Sequence, residues 1–176
     1  MAIFVVDSYE EPRFEVISRF SGFEIRKYFD SIQAIVETKG RDWQSSTDGF
    51  RRIAGYIFGR NKSEQRIAMT TPVFFWNDNE KSMMAFIMPS AYSMSDLPQP
   101  NDEGIKLEKI QGKKFAVLRF SGLSRLKKTE RLIKKLEQLM HGENLSPSGP
   151  TLIAIYDNPT TTLPFLRRNE ILIPIN

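Results

Sequence analysis

Cysteine is absent from the 176 residues of the chain, which excludes disulfides, thiolate metal sites, iron–sulfur clusters and a cysteine nucleophile. Histidine occurs once, as His141. A Ser-His-Asp triad would need that single imidazole, and multi-histidine zinc or iron centres are impossible. Long hydrophobic runs are missing too. Runs such as residues 2–6 and 152–156 are five residues long and none exceeds the six of residues 83–88, against the roughly 20 a spanning helix requires. No basic stretch precedes residues 2–6, and Asp7 interrupts them, so no secretory leader is expected and the expected location is cytoplasmic. A chain with these gaps is suited to binding rather than to catalysis, so neither a catalytic residue nor a metal site is assigned.

What is present is enough to fold. Apolar residues make up 40% and charged residues 26%, with thirteen Phe, five Tyr and two Trp to fill a core. The length fits one domain over residues 1–176. The formal charge of +4 biases the surface weakly toward polyanions. Basic residues gather at Arg51-Arg52, at Arg60, Lys62 and Arg66, over residues 125–135, and at Arg167-Arg168. Glu130 and Glu137 interleave the third group, which therefore reads as the solvated face of a helix. With no zinc finger, no RNP-like aromatic strand and no recognition helix, nucleic acid is not an expected partner.

The pattern of apolar residues gives the elements. Alternation around Phe14, Val16 and Phe20, then Phe23 and Ile25, then Ile32, Ala34 and Val36 predicts three half-buried strands. Ser21-Gly22 and Phe29-Asp30-Ser31 are short enough for hairpin turns between them, and Gly40 closes the third. Phe50, Ile53, Ala54, Ile57 and Phe58 then recur at helical spacing, between cap hydroxyls at residues 45–47 and a stop at Gly59. A strand over residues 67–76 contains Pro72, which cannot donate to a ladder and so marks an edge, bulge or bend. A return strand covers residues 83–88, and residues 90–104 have the composition of a connecting loop.

Beyond that loop the order recurs. Strands over residues 105–109 and 115–120 turn at Gly112, a helix over residues 125–140 starts after Ser124 and stops at Gly142, and strands at residues 152–156 and 170–173 follow a break at Asp157-Asn158-Pro159. The spacings of Gly122, Pro159 and Pro174 resemble those of Gly40, Pro72 and Pro89. Two strand-strand-helix-strand-strand units, about 12–89 and 105–174, are expected. Each would bury one sheet face under its helix and leave the other face uncovered. The expected fold is α+β and pseudo-twofold: two sheets curling into a distorted antiparallel β-barrel flanked by helices, with a ligand groove between helix and sheet or between the repeats.

Six motifs in order resemble those of the SOUL haem-binding protein family. They are Phe23-Glu24-Ile25-Arg26-Lys27-Tyr28, Gly55-Tyr56-Ile57-Phe58-Gly59-Arg60-Asn61, Ile67-Ala68-Met69-Thr70-Thr71-Pro72-Val73, Met88-Pro89 with Leu97-Pro98-Gln99-Pro100, Phe120-Ser121-Gly122, and Arg167-Arg168-Asn169-Glu170-Ile171. The resemblance implies the duplicated fold, binding of haem or a related tetrapyrrole, and distant similarity to effector-binding domains of bacterial regulators.

Haem asks for an apolar groove, cations at the rim for its propionates and an axial ligand for its iron. Candidate wall residues are Ile53, Ile57, Met69, Phe74, Leu163 and Phe165, and Tyr56 and Met69 are the remaining candidates for an axial ligand, with packing the more expected role of Met69. Arg51, Arg52, Arg60 and Arg167 are candidates for carboxylate pairing. Where some family members carry a histidine after Glu-Ile-Arg, this chain has Lys27, whose ordinary pKa keeps it protonated and unable to coordinate. His141, in the last turn of the second helix, suits terminal carbonyls better than iron. Haem is therefore expected to bind without strong axial ligation, reversibly, as with a carrier or buffer. The alternative is a small-molecule sensor or adaptor domain using the same groove for another ligand. An acidic groove floor would favour cations and a basic rim would favour carboxylates, so the placement of Glu24 and Glu170 discriminates the two. Glu170 is also expected to pair with an arginine and Asn169 to cap a turn, while residues 160–165 read as a lid loop.

Overall fold

Nine strands and two helices follow the sequence periodicities closely. The computed structural model describes residues 9–39, 46–157 and 162–176. Residues 2–6, Gly40, Ser45, Asn158, Pro159 and the first two residues of the expected lid, Thr160 and Thr161, lie outside the described residues. The order is β1 (Phe14–Phe20), β2 (Phe23–Tyr28), β3 (Ser31–Thr38), α1 (Thr47–Ile57), β4 (Val73–Asp78), β5 (Lys81–Ile87), β6 (Lys106–Ile110), β7 (Lys114–Ser121), α2 (Leu126–Gly142), β8 (Leu152–Ile155), a short 3-10 turn (Pro164–Leu166) and β9 (Arg168–Ile175).

The strands form a single antiparallel sheet ordered β1-β2-β7-β9-β8-β4-β5-β3-β6. Two expectations need correction here. The sheet is open rather than a barrel, because among the described residues its edge strands β1 and β6 do not pair with one another. Nor are there two sheets. The turn at Ser21-Gly22 does make a hairpin, with Gly22 at φ 93°, but the turns after β2 and β6 do not. β2 crosses to pair with β7, carrying β1 with it, and β6 crosses to pair with β3, so the first half lends its opening hairpin and the second half its first strand. Alternation alone identifies a strand and not its neighbour, which is why the sequence reading paired them locally.

Helix α1 lies on β3 and β5, where Ile53 and Ile57 join Val36, Phe75, Met84 and Phe86 in one buried cluster. Helix α2 covers β7 and β9, placing Leu136 and Met140 against Ala116, Leu118, Ile171 and Ile173. Both helices therefore cover one face of the sheet. A third cluster fills the opposite face and joins Tyr28 of β2 and Phe115 of β7 to Ile35 of β3, Phe74 of β4 and Leu172 of β9. Strands far apart in the order can share a cluster only if the sheet curls, and that concave face forms the groove between the halves.

Local details also depart from expectation. α1 starts after Ser46, which makes no side-chain capping bond, and the residue preceding α2 is Arg125 rather than Ser124. The strand expected over residues 67–76 begins only at Val73. The Thr71-Pro72 peptide is cis, and Pro72 lies just ahead of the ladder it cannot join.

Candidate ligand-binding site

The mouth of the concave face holds two cavities, of about 570 Å³ and about 210 Å³. They share Pro12, Phe29, Ser31, Ile87, Ile110 and Gln111, so they are compartments of one cleft. The smaller is walled by Tyr28, Ile35, Phe74, Trp76, Phe115 and Leu152, with Lys113 and Glu108 at its edge. The larger is more polar, with Arg13 and Lys109 facing Glu10, Glu11 and Asp30, and Met88 and Tyr92 behind them. Its size falls within the roughly 300–1,000 Å³ usual for small-molecule sites.

Period-two geometry explains the aromatic wall. Phe74 and Trp76 alternate with Phe75, which points the other way into the α1 cluster. By the same rule Glu24, Arg26 and Tyr28 face the concave side while Phe23 and Ile25 pack under α2. On β9 Glu170 shares the face of Leu172, so two oppositely charged residues are turned into the apolar interior.

They meet there. Arg26 donates to both carboxylate oxygens of Glu170, at 3.0 and 2.9 Å, and its side chain and that of Glu170 are 8% and 3% exposed. The same guanidinium donates to Glu24 at 2.6 Å and to the Tyr28 hydroxyl at 3.0 Å, and lies 4.3 Å from the Phe14 ring centroid. The Tyr156 hydroxyl donates to Glu170 at 2.7 Å, and the Arg168 guanidinium lies over the Tyr156 ring. Burial acts to lower the Arg26 pKa, yet the bond to Glu170 and the nearby charges outweigh it and hold the guanidinium protonated. Burial pushes the Tyr28 phenol up to about 12, and raises that of Tyr156 with help from the Glu170 charge. The carboxylate behind the cleft is thus neutralised and saturated by the protein's own groups.

The expected site residues separate onto different surfaces. Phe74 lines the cleft. Ile53, Tyr56 and Ile57 are buried between α1 and the sheet, where the Tyr56 hydroxyl donates to the Pro98 carbonyl at 2.8 Å, and Met69 packs half-buried against the same cluster. Arg52 is paired with Asp102 through two bonds of 2.6 and 2.8 Å, which hold the Asp102 carboxyl below its ordinary range. Leu163, just ahead of the short 3-10 turn, and Phe165, within it, are exposed, and Arg167 donates to the Thr162 carbonyl. Asn169 donates to the Gly122 carbonyl, holding the turn after β7.

Sequence reasoning missed Tyr28, Trp76, Phe115 and Leu152. Their signal was parity: each sits opposite, along its strand, to the residues that pack under the helices.

A tetrapyrrole fits this inventory in two of its three demands. The aromatic and aliphatic wall suits the macrocycle, and Arg13, Lys109 and Lys113 suit propionates. Neither cavity is lined by histidine, His141 is exposed on α2, and no cluster of three metal-ligating residues occurs among the described residues. Among those residues no helix is long and apolar enough to cross a membrane.

The family described as SOUL heme-binding protein matches residues 9–174. Heme-binding protein 2 of Mus musculus is 24% identical over 128 residues, covering 69% of this chain and 62% of the mouse protein. The matched stretch thus spans less than two thirds of that relative. Among solved structures, the EcmrR C-terminal domain has a TM-score of 0.66 at 10% identity, covering 95% of this chain and 99% of its own. A hydrolase from Listeria innocua has a TM-score of 0.58 at 12% identity, covering 97% and 94%. Identities this low concern the fold alone, whereas the family match extends over most of the sequence: the chain belongs to the SOUL heme-binding protein family.

Proposed function

We propose that this protein binds haem or a related tetrapyrrole without catalysing a reaction on it, in the concave cleft between the two halves, as a carrier or buffer. One observation carries the placement. The cleft combines an aromatic wall with a mixed rim, in which Arg13, Lys109 and Lys113 stand among Glu10, Glu11, Asp30 and Glu108, while the carboxylate behind it, Glu170, is already neutralised by Arg26. A planar ligand with carboxylate arms finds apolar burial and cations there, and a lipophilic cation finds no free carboxylate at Glu170.

Bound haem would bring iron chemistry that the macrocycle itself carries. The chain's own part is to enclose the ring with Tyr28, Phe74, Trp76 and Phe115 and to pair its carboxylates with Arg13, Lys109 or Lys113. Affinity resting on these contacts alone should be about micromolar, or about 8 kcal/mol. Residues 9–89 and 105–176 would both be required, since each contributes one side of the cleft.

The test is a pair of titrations with hemin and with metal-free protoporphyrin, followed by the Soret band and by tryptophan quenching. The expected result is affinities within about tenfold of each other. A preference of about a hundredfold for the iron form would demand an axial ligand and overturn this account. A sensor reading remains the alternative in kind. It would be favoured by tight binding of a lipophilic cation such as tetraphenylphosphonium, which the paired state of Glu170 argues against.

A further inference from the structure

Away from the cleft, the end of the sheet where β7 meets β9 carries apolar side chains in water. Leu163, just ahead of the 3-10 turn, and Phe165 and Leu166 within it are 57%, 71% and 63% exposed, and Leu123, after β7, and Leu126, which opens α2, are 36% and 43% exposed. The two segments leave the sheet together. Ser121 pairs with Arg168, Asn169 bonds the Gly122 carbonyl, and the 3-10 turn contacts β7. Isolated exposed leucines need no explanation, but five large apolar residues on adjoining segments form a patch.

Cations edge it. Arg125 and Lys127 flank Leu126 and are exposed, Arg131 and Lys134 continue outward on the surface of α2, and Lys128 reaches back to the Ser121 carbonyl. Nearby acids are engaged elsewhere, since Glu11 pairs with Arg168 and Asp157 accepts from the Arg168 backbone. Glu130 is the one acidic residue on the first two turns of α2. Protruding Leu and Phe bordered by Lys and Arg match the chemistry of a bilayer interface, where apolar groups enter the headgroup boundary and cations meet anionic lipid.

We infer that this end of the molecule docks reversibly on anionic lipid membranes, with Phe165, Leu166 and Leu126 entering the interface and Arg125, Lys127 and Arg131 pairing with headgroups. The smaller cavity, lined by Lys113 and Phe115 at the start of β7, lies at the opposite end of that strand from Ser121 and the patch.

Flotation of the full chain with phosphatidylcholine vesicles, with and without phosphatidylglycerol, tests it. Binding is expected only to the anionic vesicles and should weaken as salt is raised. The Arg125→Ser/Lys127→Ser variant should lose about twenty-five-fold, a factor of about five for each cation removed. The Leu126→Ser/Leu166→Ser variant should lose binding while keeping its circular dichroism and hemin titration unchanged. Equal recovery with neutral vesicles, or undiminished binding by Leu126→Ser/Leu166→Ser, would overturn the inference. So would a wild-type dimer that this variant converts to monomer, because the patch would then be covered by a second copy. The hemin titration is read separately, so failure of the membrane contact and failure of the cleft reading are told apart.

Discussion

Replacing Glu170 with alanine removes three donors' common acceptor from the interior: the two Arg26 contacts at 3.0 and 2.9 Å and the Tyr156 hydroxyl at 2.7 Å. The guanidinium stays behind, 8% exposed, and cannot shed its charge, since arginine does not deprotonate in proteins. Breaking one side of such a pair costs about 3–5 kcal/mol. Arg26 keeps its 2.6 Å contact with Glu24, which is 24% exposed, so the low end applies. A loss of about 3 kcal/mol corresponds to a Tm lowered by roughly 6–12 °C in a chain of this size. The double variant Arg26→Met/Glu170→Met removes both charges and should be no less stable than Glu170→Ala, because an apolar pair of similar volume often matches a buried ion pair. Urea unfolding of Arg26→Met, Glu170→Met and their double gives the coupling energy directly. Additive losses, or a single-variant cost below about 1 kcal/mol, would show that the pair does not act as a buried unit and would refute the reasoning.

Gly112→Ala should be costly, because a Cβ there would stand 2.3 Å from the Tyr28 carbonyl oxygen and 2.9 Å from the Phe29 carbonyl carbon, both backbone. A destabilisation of about 1–3 kcal/mol with weaker hemin binding is expected, checked by unfolding and Soret titration. Alkaline stability should depend on Tyr28. Its folded pKa of about 12 exceeds the ordinary 10.0, so stability intact below pH 10 falls as pH rises from 10 toward 12, by about 1.4 kcal/mol per pH unit. Burial raises the Tyr56 and Tyr156 phenols as well, so Tyr28→Phe should reduce the overall slope by that one share and leave the rest, in urea titrations on either side of pH 10. Trp76→Ala should weaken hemin binding about tenfold or more by opening the aromatic wall. A larger loss in Leu163→Ser/Phe165→Ser than in Trp76→Ala would move the ligand to that loop.

Element identity was legible because period is local. Phe14 to Phe20 and Phe74 to Trp76 alternate, and Ile53 and Ile57 recur a helical turn apart, so strands and helices could be placed within a few residues. Partnership was not. Nothing in the composition of β2 distinguishes pairing with β3 from pairing with β7, and that choice turns two expected sheets into one open one. The site suffered from the same blindness. Ile53 and Phe74 are both apolar and were assigned to one wall, yet they face opposite sides of the sheet. Glu170 was the better lead, since a carboxylate in step with Leu172 along a buried strand required a partner, and Arg26 supplied it.

The exchange of β2 and β6 between halves bears on how the chain can be divided. The two passages touch where the Gly112 amide donates to Asp30 at 2.7 Å, beside the Tyr28 backbone. A polypeptide severed within residues 90–104 would yield two pieces that each carry a strand meant for the other and a vacant ladder of their own. Neither fragment is equipped to stand alone in solution, whereas mixing them should restore the native sheet. The same reciprocity gives two intact copies a ready route to trade halves.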